Sequence, residues 1–363
     1  MRLSRSTLAR AIGVAVVLGT LVVVGRLSGS SLRPSSPPTV TTVSLPTVLS
    51  PPSTTPSPVT ARLALGQVAA VAVDGDTVWA AHLCAISRVD PHSNRVVAKV
   101  PLPPVRLGCR VVGMQTGAGA LWVSLSGEKL LRVDPRGNRV VATLAMADLA
   151  TPALTAGGVW VVCCWSRINT RHPAGWLVRV DPVSMRVAAR VRLPGLPTAV
   201  GAGTSGVWVT GAGGPIWRID PASNRVVATI AVPGGLGGLP GRTGPAGEVG
   251  DVLVRPDAVW VSNPAGGQVL RVDPAHNRLV GSEPVDGPSL VVAGGQVWAT
   301  NGTSLVTLGR QSRQVSLAEL SRQDADEGEP PVSDLAASPG AVWVGGSEGL
   351  FRVDLARLGR ADG

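Results

Sequence analysis

The dipeptide V-W or L-W recurs at Trp79, Trp122, Trp160, Trp208, Trp260, Trp298 and Trp343, seven copies at a mean step of about 44 residues. A period of that length marks a chain of repeated supersecondary units that bury their apolar faces against one another. A second phrase follows each Trp. It reads R-V-D-P at Arg88, Arg132, Arg179 and Arg271 and R-I-D-P at Arg218. Copy seven keeps Arg352-Val353-Asp354 without the proline, and copy six is eroded to Thr307-Leu308-Gly309-Arg310.

Each unit reads as four short strands, A to D. Strand A is an apolar stretch such as Ser289 to Ala293, and a glycine turn leads into strand B with its Trp. Strand C carries R-V-D. Strand D is a run such as Arg225 to Val232. The D-P-x-x-N hairpin between C and D has a mechanism: Asp caps the turn, Pro presets φ, and Asn tolerates positive φ. With 45 Gly and 31 Pro in 363 residues, long helices have little room. The expected fold is all-β, a seven-bladed β-propeller of four-stranded blades. The last copy lacks a strand D, and Val59 to Leu65 reads like the missing one, so the ring is expected to close by pairing its N-terminal strand with the last blade.

Trp spacing this regular argues for packing between blades. Trp217 stands where an ordinary strand-C residue belongs, which leaves Trp165 and Trp176 as candidate contact residues.

Ahead of the repeats, residues 1–27 hold Arg2, Arg5 and Arg10 before an apolar run from Ala11 to Gly25, ended by Arg26. This reads as an export signal, either an uncleaved anchor with a single N-terminal span or a cleaved peptide that releases a secreted protein. The arginines predict that end inside and the bulk outside. Residues 28–58 are dominated by Ser, Thr and Pro and read as an extended spacer; residues 59–363 form the propeller. The five arginines of the first 60 residues, with no acid, supply half of the net charge of +10. What remains is a mildly basic globular surface without clustered basic and aromatic residues, so nucleic acid is not an expected partner.

The phrases V-W-V-S-N at Val259 to Asn263 and V-W-A-T-N at Val297 to Asn301, followed by R-V-D-P-x-x-N-R-V-V-A, resemble the YVTN and streptogramin (virginiamycin B) lyase-like propellers over about 300 residues. In the genuine lyases the resemblance implies a magnesium ion and a His/His/Glu set, with the Glu three residues after a strand-B Trp. Here those positions hold His82, Leu125, Cys163, Gly211, Asn263, Asn301 and Gly346, and no His precedes a strand A. No catalytic residue is therefore assigned.

The D–A and B–C connections share one face, and every long insertion is of those kinds: Cys163 to Trp176, Pro233 to Gly250 and Ser321 to Ser333. Cys84, Cys109, Cys163 and Cys164 lie on the same face, with three pairings open and pairing across blades favoured over a bond between neighbours. This is the expected binding face. Its candidate ligand-binding residues are Trp165, Arg167, Arg171, His172 and Trp176, with His82 in a neighbouring B–C loop, a set suited to anionic or sugar-bearing groups. Asp251 and Asp334 stand at the start of strand A in copies five and seven, with Ser289 between them; they could gather a divalent cation or simply cap the strand. No other cofactor is expected. The reading is a membrane-tethered, monomeric binding or sensing module for a protein or envelope-polymer partner. The alternative is a divergent metal-dependent lyase or lactone-acting enzyme.

Overall fold

The computed structural model describes residues 57–104, 109–125, 128–147, 149–166, 174–236, 250–301, 304–309, 313–317 and 332–358, residues 164–166 and 174 by their backbone only. The chain divides into two units, Met1–Ser53 and Thr54–Gly363. The first unit, and with it the expected anchor, lies outside the described residues. Among the described residues no helix is long and apolar enough to cross a membrane.

The second unit is a seven-bladed β-propeller. Seven sheets each hold four antiparallel strands, and six of them follow the chain in the order A-B-C-D. The seventh sheet takes its strand D from the other end of the chain: Val59–Leu63 pairs antiparallel with Gly349–Asp354, with Val59 opposite Val353 and Leu63 opposite Leu350. The ring thus closes as the repeat register requires. Strand A of each blade contacts strand A of the next, so the A strands form the inner wall. One helical turn, Leu355–Leu358, follows the last strand C.

The two phrases of the repeat turn out to be one structural unit. In six blades the strand-B Trp lies directly across from the arginine of R-V-D, as in Trp79 opposite Arg88, Trp208 opposite Arg218 and Trp343 opposite Arg352, and in blade 6 Trp298 faces Thr307. The Trp side chains are buried, five of them completely. Among the described residues there are seven apolar clusters, each shared by two adjacent blades, and each takes one of these Trp residues. Trp79 packs with Leu121 and Val123 of blade 2, and Trp343 with Val71 and Val78 of blade 1. Removing such a plate costs about 3–5 kcal/mol in a typical core. Trp217 joins the cluster between blades 3 and 4, as an ordinary strand-C residue should.

The C–D hairpins follow their sequence signature. Asn94, Asn138, Asn224 and Asn277 have φ of 50–56°, where Asn is tolerated better than branched residues. In blade 3 the turn reads D-P-V-S-M, and Met185 is forced to φ 56° in the absence of Asn. The Asp caps accept turn N–H groups: Asp90 Oδ1 from His92 N at 2.9 Å, and Asp181 Oδ1 from Ser184 N at 2.7 Å. These bonds hold the cap carboxyls below the usual range, through the Ser93 hydroxyl first at Asp90 and the Ser184 N–H first at Asp181.

Candidate functional site

The two faces of the ring differ in how their polar groups are used. On the A–B/C–D face the arginine of R-V-D lies over the Trp of its own blade, with guanidinium-to-ring distances of 5.4 Å at Arg218 and Trp208 and 5.6 Å at Arg179 and Trp160. The same arginine donates to the hairpin of the next blade. Arg218 Nη1 donates to Pro274 O and Asn277 Oδ1, both at 2.8 Å, and Arg179 Nη1 to Pro221 O at 3.0 Å. Arg352 Nη1 carries the latch across the closure to Pro91 O at 3.1 Å. Blade 6 has Thr307 in place of the arginine, and Arg271 of blade 5 makes no such bond among the described residues. Arg132 of blade 2 likewise makes no such bond among the described residues, so the latch from Arg88, Arg179, Arg218 and Arg352 joins four of the seven interfaces.

At the inner wall, the fastening around blade 6 is of another kind. Asp251 precedes strand A of blade 5 (Val252–Val254) and Asp334 sits at a bulge in strand A of blade 7 (Val332–Ser338). Asp251 accepts from Val252 N at 2.8 Å and from Leu290 N of blade 6 at 3.2 Å. Asp334 accepts from Leu335 N and from Val71 N of blade 1, both at 2.8 Å. Ser289 Oγ donates to Ser333 O at 3.4 Å, from blade 6 to blade 7. Each carboxylate therefore caps its own strand and bridges to the next blade. Among the described residues no group of three His, Cys, Asp or Glu side chains is placed to hold a metal ion.

Asp251 and Asp334 keep partial exposure as residues, yet their carboxyls lie between packed strands and have lost most of their water. Burial pushes the Asp251 carboxyl up. It pushes Asp334 up to about 7, the negative charge of Asp251 adding to the shift while the N–H bonds oppose it.

On the D–A/B–C face, the B–C turn of blade 1 has only two residues, Leu83 and Cys84, because His82 pairs with Ala85. Cys84 forms a disulfide with Cys109 in the connection from blade 1 to blade 2, with a Cα–Cα distance of 4.9 Å. Cross-linking residues 25 apart typically stabilises a fold by about 3 kcal/mol. Leu83 has φ 47° and is 78% exposed. Gly or Asn is the usual choice for such a position, so a bulky apolar residue there breaks a local rule. Nothing in periodicity or composition singles out Leu83; only its place between His82 and a bridged Cys does.

His82 itself is buried. Its Nε2 lies 2.7 Å from Ser87 Oγ, and Nδ1 has no partner in the described structure. Burial first, and the Lys99 charge second, lower its pKa, so the ring is neutral near pH 7. Trp176 opens strand C of blade 3 opposite Cys163 and Arg192, half-buried against the cluster between blades 2 and 3. Cys163 is buried and disulfide-bonded. Trp165 lies in strand B of blade 3 (Gly158–Ser166), with only its backbone described. Arg167, Arg171 and His172 lie outside the described residues, as do most of the two long D–A insertions.

No family model and no curated protein matches the chain. Among solved structures the likeness is one of fold. The extracellular domain of a proposed one-component system, BT4673, from B. thetaiotaomicron superposes with a TM-score of 0.56 at 13% identity, covering 79% of this chain and 38% of that one. This chain thus spans well under half of that neighbour. With 1425 solved chains matching, the propeller by itself selects no activity.

Proposed function

We propose that this protein is an extracytoplasmic binding or sensing module, a propeller held to a membrane by its N-terminal segment and recognising a protein or envelope polymer through the D–A/B–C face. Placement among the YVTN and virginiamycin B lyase-like propellers, without the lyase chemistry, belongs to the same reading and rests on the motif register. One observation carries the choice of face: Leu83 is exposed and held at positive φ on a turn clamped by a disulfide, while four of the repeated arginines of the other face are bonded to neighbouring blades. Strain at an exposed apolar residue persists where its surroundings over-determine it, and such sites cluster at ligand contacts. The neighbour's description as an extracellular domain of a one-component system is consistent with a sensing role.

The test is a thermal-shift panel on the full chain in detergent, with envelope polysaccharides and with a cyclic depsipeptide lactone, each with and without divalent metal. A polymer at a hundredfold excess over Kd is expected to raise the melting temperature by about 5 °C. Leu83→Asp should abolish the shift and chelator should leave it unchanged. A shift that needs lactone and metal together and disappears in Asp251→Asn would replace this reading with the enzymatic one. Silence across the panel removes the polymer as ligand.

A further inference from the structure

We infer that the A–B/C–D face is a docking surface for an anionic lipid bilayer, so that the propeller stands on the membrane with its binding face turned outward.

The hairpin motif D-P-x-x-N is followed by arginine in four blades, and the D-P-V-S-M hairpin of blade 3 by Arg186. Arg95, Arg139, Arg186, Arg225 and Arg278 each open or immediately precede strand D, and all are exposed. They form an arc around the outer rim of one face. Arg357, on the helical turn after the last strand C, continues it past the closure. The Asp caps of the same hairpins are ionised and offset part of this charge, Asp273 lying 3.9 Å from Arg278, but the R-V-D arginines Arg88, Arg132, Arg179, Arg218, Arg271 and Arg352 on the same face leave arginines in excess of carboxylates there. The exposed Asp74, Asp76 and Asp257 stand at A–B turns, nearer the axis. Val183, 80% exposed at the tip of the blade 3 hairpin beside Arg186, adds an apolar point on the same rim.

The second observation is where the chain enters. Strand D runs from the C–D face toward the D–A face, so Ser57 and Pro58 must lie on the C–D side. Their contacts agree: Asp354 N donates to Pro58 O at 2.9 Å, and Arg357 Nη1 to Ser57 O at 3.2 Å. The segment that leads back toward the N-terminus therefore leaves from the arginine-bearing face.

A planar anionic surface suits this arrangement because charges act on it only within about a Debye length, roughly 8 Å at physiological salt. An arc of arginines on one rim meets a plane together, and each basic residue near such a surface adds to the attraction. The inference shares the tethered reading above, but its charge argument does not depend on an anchor.

The experiment uses the full chain in vesicles of zwitterionic lipid alone or with anionic lipid, with an energy-transfer acceptor on the headgroups. The donor is attached at Ala222→Cys, in the blade 4 hairpin, or at Ala265→Cys, in a B–C turn of the opposite face. Both native residues are exposed, and the described native cysteines are all in disulfides. In anionic vesicles, transfer from position 222 should exceed that from 265, and high salt should erase the difference. In a variant combining Arg95→Gln, Arg139→Gln and Arg186→Gln, which should melt as the wild type does, the docked-to-undocked ratio should fall about tenfold or more. Equal transfer from both faces, closer approach of 265, or a preference indifferent to lipid charge overturns the inference. So does tighter binding of soluble polyphosphate than of anionic vesicles, which would make the arc a polymer site. Failure of the chain to float with zwitterionic vesicles removes the tether alone and leaves the comparison in anionic vesicles to decide the docking.

Discussion

Asp334 shows how a side chain chosen for geometry acquires a pH dependence. Its carboxyl accepts Val71 N across the closure between blades 7 and 1 and sits where ionisation is costly, with a pKa of about 7 against about 3.9 for a free Asp. Between those two values the folded state holds a proton that the unfolded chain has released. Stability therefore falls as pH rises from about 4 to about 7 and levels off above, with a slope of at most about 1.4 kcal/mol per pH unit from this group. His82 acts in the opposite sense: its lowered pKa favours the neutral folded form, and acidification below about 6.5 works against folding. The two are separated by comparing denaturant unfolding of the wild type and Asp334→Asn at pH 5 and pH 8. The wild type should gain stability on acidification relative to the variant; parallel curves would show that the carboxyl is ionised throughout. The sequence places Asp334 and Asp251 near the ends of strands A, and capping is legible there. The bridge to the next blade is not, because it depends on which N–H the neighbouring strand presents across the ring.

At the scale of the element, the repeat phrase encodes a contact that spans blades. W and R-V-D look like separate strand motifs at fixed spacing, yet in four blades the arginine belongs to three structures at once: its own strand, the Trp opposite, and the next hairpin. Arg218→Ala removes two 2.8 Å bonds to blade 5 and the ring contact with Trp208. A loss of about 2–3 kcal/mol in unfolding free energy is expected. Arg271→Ala, at an exposed residue that keeps only its place over Trp260 at 5.4 Å, should cost less than about 1 kcal/mol. Equal losses would mean that the Trp contact, and not the latch, carries the arginine. The erosion of copy six at Thr307 is visible in the sequence. Its consequence, a three-residue strand D at Gln314–Ser316 between two interfaces that lack the latch, is visible only in the structure. Disulfide pairing was likewise out of reach, since four cysteines on one face leave three solutions until the turn of blade 1 is seen to meet the connection to blade 2.

For the whole molecule, seven apolar clusters at seven interfaces make the ring, and its last interface depends on a strand from the far end of the chain. Deleting residues 1–56 should leave the melting temperature of the propeller unchanged, because strand D of blade 7 begins at Val59. Deleting residues 1–63 uncovers the edge of Gly349–Asp354 and one side of Phe351, which is buried in the intact ring. That variant should associate or aggregate, as measured by light scattering, since an open strand edge is a template for pairing with another chain. The closure also has a consequence for how the protein comes into being. Val59–Leu63 emerges early, and its hydrogen-bonding partners lie nearly three hundred residues later, at Gly349–Asp354. Every blade before the last can form while the chain is still being made, but the circle cannot be sealed until Gly349–Asp354 arrives. A chain cut before Gly349–Asp354 by premature termination or proteolysis keeps Val59–Leu63 unpaired and remains open to quality-control proteases. The seam thus forms only in a molecule that carries both Val59–Leu63 and Gly349–Asp354.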